Sequence, residues 1–535
     1  MSTSACNEPL LAAPAESLPE APRVLPAEKS SYGQILKSSA LIGGSSVLNI
    51  AIGIVRTKAM AMLLGPAGFG LTGLYSSISD ITTGIAGMGV NSSGVRQIAE
   101  AVGSGDSDRI ARTSAVLRRT SAVLGVLGAI CLIAFSRQVS ALTFGSSAHA
   151  GAVCILSVAV LFRSISAGQG ALLQGMRRIS DLAKMGIWGA AFGTLSSIVL
   201  VYLFGENGIV PSLVSVAATA ILTSWWYSRK VRIPRVSVTV RQIGQETGAL
   251  LKLGFAFMSS GFLTMGAAYT VRILLLREVG FEATGCYQAA WTLGGLYVGF
   301  ILQAMGADFY PRLTASADDN VACNRIVNEQ ARVGLLLAGP GVIATLTFAP
   351  LIIALFYSAK FHAAVGILRW ICLGTLLQVI TWPMGFIVLA KARQNLFLLS
   401  DLAWTVVYIG LAWICIRRFG VDGAGIAFFG SYIFHALLTY PIARRLSGFR
   451  WSGENRRTGL LFLLCIGVVF CGFYVLPFVW AAGFGTLVLV LSSGYSIRIV
   501  STLISLNRIP QPIRRLILGL ALRGRVPSSN MNSNK

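Results

Sequence analysis

Apolar residues run through this chain in long blocks, broken by short polar and basic stretches, from Tyr32 almost to the end. Blocks of about 18 or more apolar residues are the length that crosses a bilayer as an α-helix. The pattern predicts fourteen spans, at about 34–64, 69–93, 113–135, 150–175, 184–204, 208–228, 248–277, 284–310, 328–356, 363–390, 394–416, 423–446, 458–478 and 482–505. The fold class expected is therefore an all-α polytopic membrane protein. Outside the blocks, residues 1–31 are rich in Ala, Pro and Glu, which predicts a disordered cytoplasmic tail rather than a signal peptide. IPQPIRRLILGLALRGR (509–525) reads as a basic amphipathic helix on the membrane surface.

The blocks repeat. Lys37 pairs with Lys252, Gly65 with Gly280, Gly70 with Gly285, Gly170 with Gly385 and Arg178 with Arg393, each 215 residues apart, as do FGENG (204–208) and FGVDG (419–423). An intervening segment shifts to 212, where Phe144, Ala152, Val153, Ile155 and Leu156 match Phe356, Ala364, Val365, Ile367 and Leu368. Six spans per repeat is an even number, so the two halves run in the same direction, related by an axis along the membrane normal. The expected organisation is a first six-span lobe at 32–230, a basic linker at 231–247 and a second six-span lobe at 248–447. Two extra spans (448–506) and a basic cytoplasmic tail (507–535) follow. The two lobes would enclose a central cavity.

Composition agrees: 54% of the 535 residues are hydrophobic and 12% charged, with mean hydropathy +0.71. Soluble domains carry about 25% charged residues. A water-soluble catalytic domain is excluded. The nine cysteines are scattered, without a CxxC pair, and the three histidines lie far apart, so neither a metal site nor a cofactor is expected. The net charge of +24 sits in alternate loops: one set holds 23 Lys and Arg, the other five. That is the positive-inside bias, which puts both termini in the cytoplasm and removes nucleic acid as the expected partner.

The charges inside the blocks carry the chemistry. In the first span Ser38, Ser45, Asn49, Gly53 and Arg56 share one face, with Lys58 beside it; in the second, Thr72, Ser76, Asp80 and Thr83 do the same. Arg56 lies sixteen residues after Ala40, about 24 Å at about 1.5 Å per residue and past the middle of a bilayer core. The second lobe adds Lys252, Ser259, Arg272 and Asp308; Arg163, Arg369 and Asp401 lie in the fourth, tenth and eleventh spans. Lipid does not solvate such groups, so they face the bundle interior or water. Lys252, Asp308 and Arg369 are also near enough to span ends to snorkel. Asp401 and His435 could instead hydrogen-bond between helices, and Arg163 could be structural glue. Cations outnumber acids in this set, Arg56, Lys58, Arg163, Lys252, Arg272 and Arg369 against Asp80, Asp308 and Asp401. A net-positive, water-filled cavity suits a phosphate or pyrophosphate. A cavity for cationic drugs would favour acids and aromatic rings. GPAGFGLTG (65–73) lacks GK[ST] and a preceding strand, so it is a tight outer turn and not a phosphate loop.

The stretch VRTKAMAMLLGPAGFGLTGLYSSISDITTGIAGMGVNSSGVRQIAEA (55–101) closely resembles the N-terminal signature of Wzx-type polysaccharide flippases, in the polysaccharide transporter family of the multidrug/oligosaccharidyl-lipid/polysaccharide exporter superfamily. FYPRLTASADD (309–319) resembles the loop after that family's eighth helix, and FYSAKFHAAVGILRW (356–370) the entry to its tenth. The resemblance implies two six-helix bundles in a V around a cationic cavity. It implies movement of an undecaprenyl-pyrophosphate-linked oligosaccharide, as for O-antigen, lipopolysaccharide or exopolysaccharide, across the bacterial inner membrane by alternating access. Lys58 matches the family's signature cation, and Arg56 precedes it in the same motif. A polysaccharide polymerase and a chain-length regulator would be further partners. The extra pair of spans departs from the twelve usual in this family and matches the fourteen of lipid II flippases. A lipid II-type flippase, or a drug/cation antiporter of the same superfamily, is therefore the alternative.

Overall fold

The computed structural model describes residues 28–231 and 240–503. Most of the expected N-terminal tail, the core of the linker, the basic tail and its amphipathic helix lie outside the described residues. Sixteen α-helices follow one another: α1 (Glu28–Gly87), α2 (Val90–Gly103), α3 (Ser107–Ala134), α4 (Ser136–Phe144), α5 (Ala150–Gly175), α6 (Ile179–Phe204), α7 (Ile209–Ser228), α8 (Val240–Glu278), α9 (Phe281–Ala315), α10 (Asn320–Thr347), α11 (Ala349–Phe356), α12 (Ala364–Ala390), α13 (Gln394–Phe419), α14 (Gly423–Ser447), α15 (Gly453–Val475) and α16 (Phe478–Leu503). Among the described residues there is no strand. Eight helical stretches are long and apolar enough to cross a membrane, or nine if the bent pair α10–α11 is one span. Three of them, of 44, 50 and 54 residues, exceed one crossing, since about 20 residues suffice. The chain is an all-helical, multi-pass membrane protein.

The turns show how the chain is laid out. The first long helix breaks at Gly65 (φ 64°, ψ −172°), and Pro66 starts its second limb. At Gly280, 215 residues on, the chain breaks again with φ 113° and ψ −175°, between α8 and α9. This region of φ is open to glycine and strained for residues with a Cβ. Gly205 (φ 57°, ψ −131°) and Gly420 (φ 58°, ψ −130°) end α6 and α13 in one conformation. Among the described residues, non-glycine positive φ occurs at Met88, Arg177 (54°) and Ala392 (56°), and the last two are again 215 apart. The caps repeat as well. Asp106 accepts from the amides of Asp108 and Arg109 at the start of α3, and Asp319 from those of Val321 and Ala322 at the start of α10. These caps satisfy amides that a helix start leaves without partners.

Packing follows the same rhythm. In the first half α3 packs on α5, α5 on α7, α6 on α7, and α1 on α5 and α6. In the second, α10 packs on α12, α12 on α14, α13 on α14, and α8 on α13. The last pair, α15 and α16, lies against α10. Leu195, Leu222, Val406, Leu437, Leu464 and Leu491 stay exposed on outer faces, where lipid rather than water meets them. Buried hydroxyls return their protons to the preceding turn, as Ser77 to the Gly73 carbonyl, Ser164 to Val160 and Thr375 to Ile371, each at 2.8 Å.

Candidate functional site

The halves meet at two close crossings of backbone. At one, the second limb of α1 lies on α9. A Cβ on Gly70 would stand 2.5 Å from the Phe281 carbonyl oxygen and 2.7 Å from the Gly285 nitrogen, and one on Gly285 would overlap the Pro66 carbonyl. Gly70 and Gly285, like Pro66 and Phe281, are 215 residues apart, so equivalent residues touch across a local two-fold axis. Phe69 packs edge-on against Tyr357 and Phe361, with centroids 5.4 and 5.7 Å away. At the other crossing, near the opposite end of the helices, Gly89 and Gly254 are in backbone contact, and either Cβ would overlap the facing carbonyl. Thr120 and Thr247 share a hydrogen bond of 3.1 Å beside it. Close by in α8 and outside the expected span, burial pushes the Glu246 carboxyl upward, while Arg112 and Arg109 pull it down.

Between the crossings lies a cavity of about 320 Å³. Asp80 and Thr83 of α1, Asn91 and Ser92 of α2, Ser121 of α3, Arg163 and Ser164 of α5, and Met258 and Met265 of α8 line it. Arg163 Nη2 stands 2.6 Å from Asp80 Oδ1, and Arg163 Nη1 donates to Ser79 Oγ at 3.3 Å. Both charged side chains remain near 40% exposed to the cavity, at 42% and 38%. A second cavity of about 330 Å³ sits within the second half, lined by Thr264, Gln378, Asp401, Trp404, Tyr432 and His435.

Of the six cations singled out in the sequence, Arg163 alone among the described side chains lines the cavity between the halves. Its charge there is matched by Asp80. Three others are held locally. Lys58 Nζ donates to the Ala354 carbonyl of α11 at 2.8 Å, across the two halves. Arg272 is 7% exposed, with Nε donating to Gln288 Oε1 at 2.7 Å and its guanidinium 5.7 Å from the Tyr287 ring. Tyr287 in turn shares a 3.0 Å hydrogen bond with Tyr408. Arg369 lies 3.8 Å from the centre of the Phe473 ring, so it faces the added helix α15 and not the lobe interface. Arg56 is partly buried and has neither an ion pair nor a hydrogen bond among the described residues. The side chains of Lys252, Ser259 and Asp308 lie outside the described ones. Asn49, with Ser45 a turn before it, is partly buried, and its amide nitrogen points at Gly186 of α6. Ser76 is partly buried and does not line the cavity.

These partners share a property that spacing alone does not reveal. Lys58, Arg272 and Arg369 are held by a carbonyl, an amide and an aromatic ring, and among the described residues none of them, nor Arg56, makes an ion pair. The positive charge of these three is thus solvated by neutral groups, whereas that of Arg163 is matched by Asp80. Gln288 is the residue that sequence reasoning missed: it is a polar residue in the apolar run of α9, which was its signal.

A family model described as "Polysaccharide biosynthesis protein" matches residues 59–366. A lipid III flippase of Escherichia coli (strain K12) is 24% identical over 412 residues, covering 75% of this chain and 95% of that one. Among solved structures, the lipid II flippase MurJ in an inward closed conformation aligns over 87% of this chain and 99% of its own, with TM-score 0.61 and 13% identity. An inward-facing multidrug resistance MATE family transporter of the MOP superfamily aligns over 75% and 95%, with TM-score 0.59 and 16% identity. At these identities the structures speak for the fold alone.

Proposed function

Because the chain belongs to the polysaccharide biosynthesis protein family, we propose that its task is to carry a lipid-linked oligosaccharide from one leaflet of the membrane to the other. The chain is a flippase, a transporter and not an enzyme. Its substrate is an undecaprenyl-pyrophosphate-linked repeat unit of O-antigen or exopolysaccharide, and its site is the bacterial inner membrane. Fourteen spans, two six-helix lobes at 32–230 and 248–447, an added pair and cytoplasmic termini complete this reading. The repeated dihedrals and the loop charges support it. A polysaccharide polymerase and a chain-length regulator are the partners that would take the product onward.

The observation that carries the mechanism is the set of interior cations without counter-ions. A diphosphate stripped of water in hydrocarbon is prohibitively unstable, so fixed donors must take the place of its hydration. Lys58 and Arg272 now hold a carbonyl and an amide, weak acceptors beside a pyrophosphate oxygen, and charge-assisted bonds are about twice as strong as neutral ones. Opening the Gly89–Gly254 crossing admits the headgroup from the cytoplasm. Arg56, Lys58 and Arg272 exchange their neutral partners for its oxygens, while the polyprenyl tail stays in lipid. Closing that crossing and opening Gly70–Gly285 releases it outward, which is alternating access. Asp80, Asp308 or Asp401 would carry any coupled proton.

Cells carrying Arg56→Ala or Lys58→Ala should fold the protein normally yet accumulate lipid-linked oligosaccharide on the cytoplasmic leaflet. Normal export from both variants would end this reading. A lipid II-type flippase is the second reading, favoured by the added α15–α16 pair. Reconstituted vesicles offered each lipid-linked substrate in turn separate the two.

A further inference from the structure

Away from the lobe interface, the junction between α14 and α15 collects arginines that nothing in the transport reading uses. Arg444, Arg450 and Arg456 surround a pocket of about 370 Å³ together with Tyr440 and Trp451. Trp451 and Arg456 also line the mouth of a second groove of about 690 Å³, which runs down past Arg457 to Leu335, Ile380, Leu460 and Leu463. The four arginines are exposed and make no ion pair among the described residues. The nearby acid in α15, Glu454, is already paired with Arg332.

The loop bearing these groups is built rather than loose. Asn324 Nδ2 donates to the Ser447 carbonyl at 2.8 Å, and Ser447 Oγ donates back to Asn324 Oδ1 at 2.8 Å. Asn328 Nδ2 donates to the Arg450 carbonyl at 3.1 Å, its Oδ1 accepts from the Ser452 amide at 2.9 Å, and Asn455 Nδ2 donates to the Asn328 carbonyl at 2.7 Å. Phe449 is fully buried, with Trp451 edge-on against it at 4.9 Å. Two asparagines of α10 thus pin the backbone that presents the guanidiniums. An acid-free arginine pocket at the membrane edge, flanked by Trp and Tyr and opening onto an apolar groove, is the shape of a phosphate bound to acyl chains.

We propose that the α14–α15 junction is a binding site for an anionic phospholipid of the surrounding bilayer. The phosphate sits among Arg444, Arg450 and Arg456, and the acyl chains lie in the groove along α15. The site is independent of what the chain transports.

The test is native mass spectrometry of the full-length protein in detergent, titrated with phosphatidylglycerol, phosphatidylcholine or inorganic phosphate. Phosphatidylglycerol should bind, and the double variant Arg450→Gln/Arg456→Gln should weaken it about thirtyfold, from about 1 kcal/mol per basic residue. Arg450→Lys/Arg456→Lys should restore part of the loss, and Arg417→Gln/Arg418→Gln at the opposite end should leave binding unchanged. Equal binding by the Gln variant, or equal binding of phosphatidylcholine, overturns the proposal. Inorganic phosphate binding as tightly as the lipid makes this a free-anion site and also overturns it. So does stoichiometric displacement of phosphatidylglycerol by the lipid-linked diphosphate, which would make the pocket a substrate station.

Discussion

At the scale of single residues, two arginines of the interior answer to different physics. Arg163 is part of an ion pair with Asp80, but both partners stay well exposed to the cavity. Such a pair contributes under about 1 kcal/mol once solvent screening is allowed for. Arg272 is buried, and its removal takes the donor away from Gln288 Oε1. An orphaned buried polar group costs about 1–3 kcal/mol. Thermal unfolding in detergent should therefore place Arg163→Gln close to the native protein and Arg272→Ala clearly below it, while translocation falls in both. Equal losses of stability would contradict the burial argument. The sequence singled out both residues as interior, and helical spacing sufficed for that. It was silent on their partners, because Asp80, Gln288 and Tyr287 come from helices whose facing is settled only when the halves dock.

At the scale of helices, the glycines that break and cross them matter more than the charges. Gly65 and Gly280 were legible as a repeated pair, and the structure shows why glycine stands there: each turns the chain at positive φ. That Gly70 and Gly285 touch was not legible. The offset marks equivalence, whereas contact depends on where the two-fold axis falls. The crossings are mutually exclusive gates in the proposed cycle, so adding one methyl to either should bias the ensemble in opposite directions. Gly285→Ala wedges α9 from α1 and favours the outward-open form; Gly254→Ala wedges α8 from α2 and favours the inward-open form. A single cysteine at Ser92, which lines the cavity, reports this in a background freed of the nine native cysteines. A membrane-impermeant thiol reagent should label it from the periplasmic side in the first variant and from the cytoplasmic side in the second. The same sidedness in both would rule out the two-gate cycle.

For the whole molecule, the helical class was written in residue spacing, since it depends on local runs of apolar side chains. The association of the halves was not, because it joins surfaces some two hundred residues apart. Lys58 reaching the Ala354 carbonyl belongs to that second kind. What the docking produces is an interior whose cations are fixed in the protein, Lys58 and Arg272 among them on neutral partners, while in the proposed cycle the substrate carries the mobile negative charge. Moving it outward then transfers net negative charge through the field. An inside-negative potential assists that step by about 2.3 kcal/mol per charge per 100 mV. The outward-to-inward ratio of substrate in vesicles should rise at least about tenfold when 100 mV, inside negative, is imposed by a potassium gradient and valinomycin. Arg56→Gln should bind substrate more weakly without altering that voltage dependence, because the charge that moves belongs to the lipid. A ratio indifferent to voltage would mean that a cation crosses with the substrate, and the interior acids would then have to carry it.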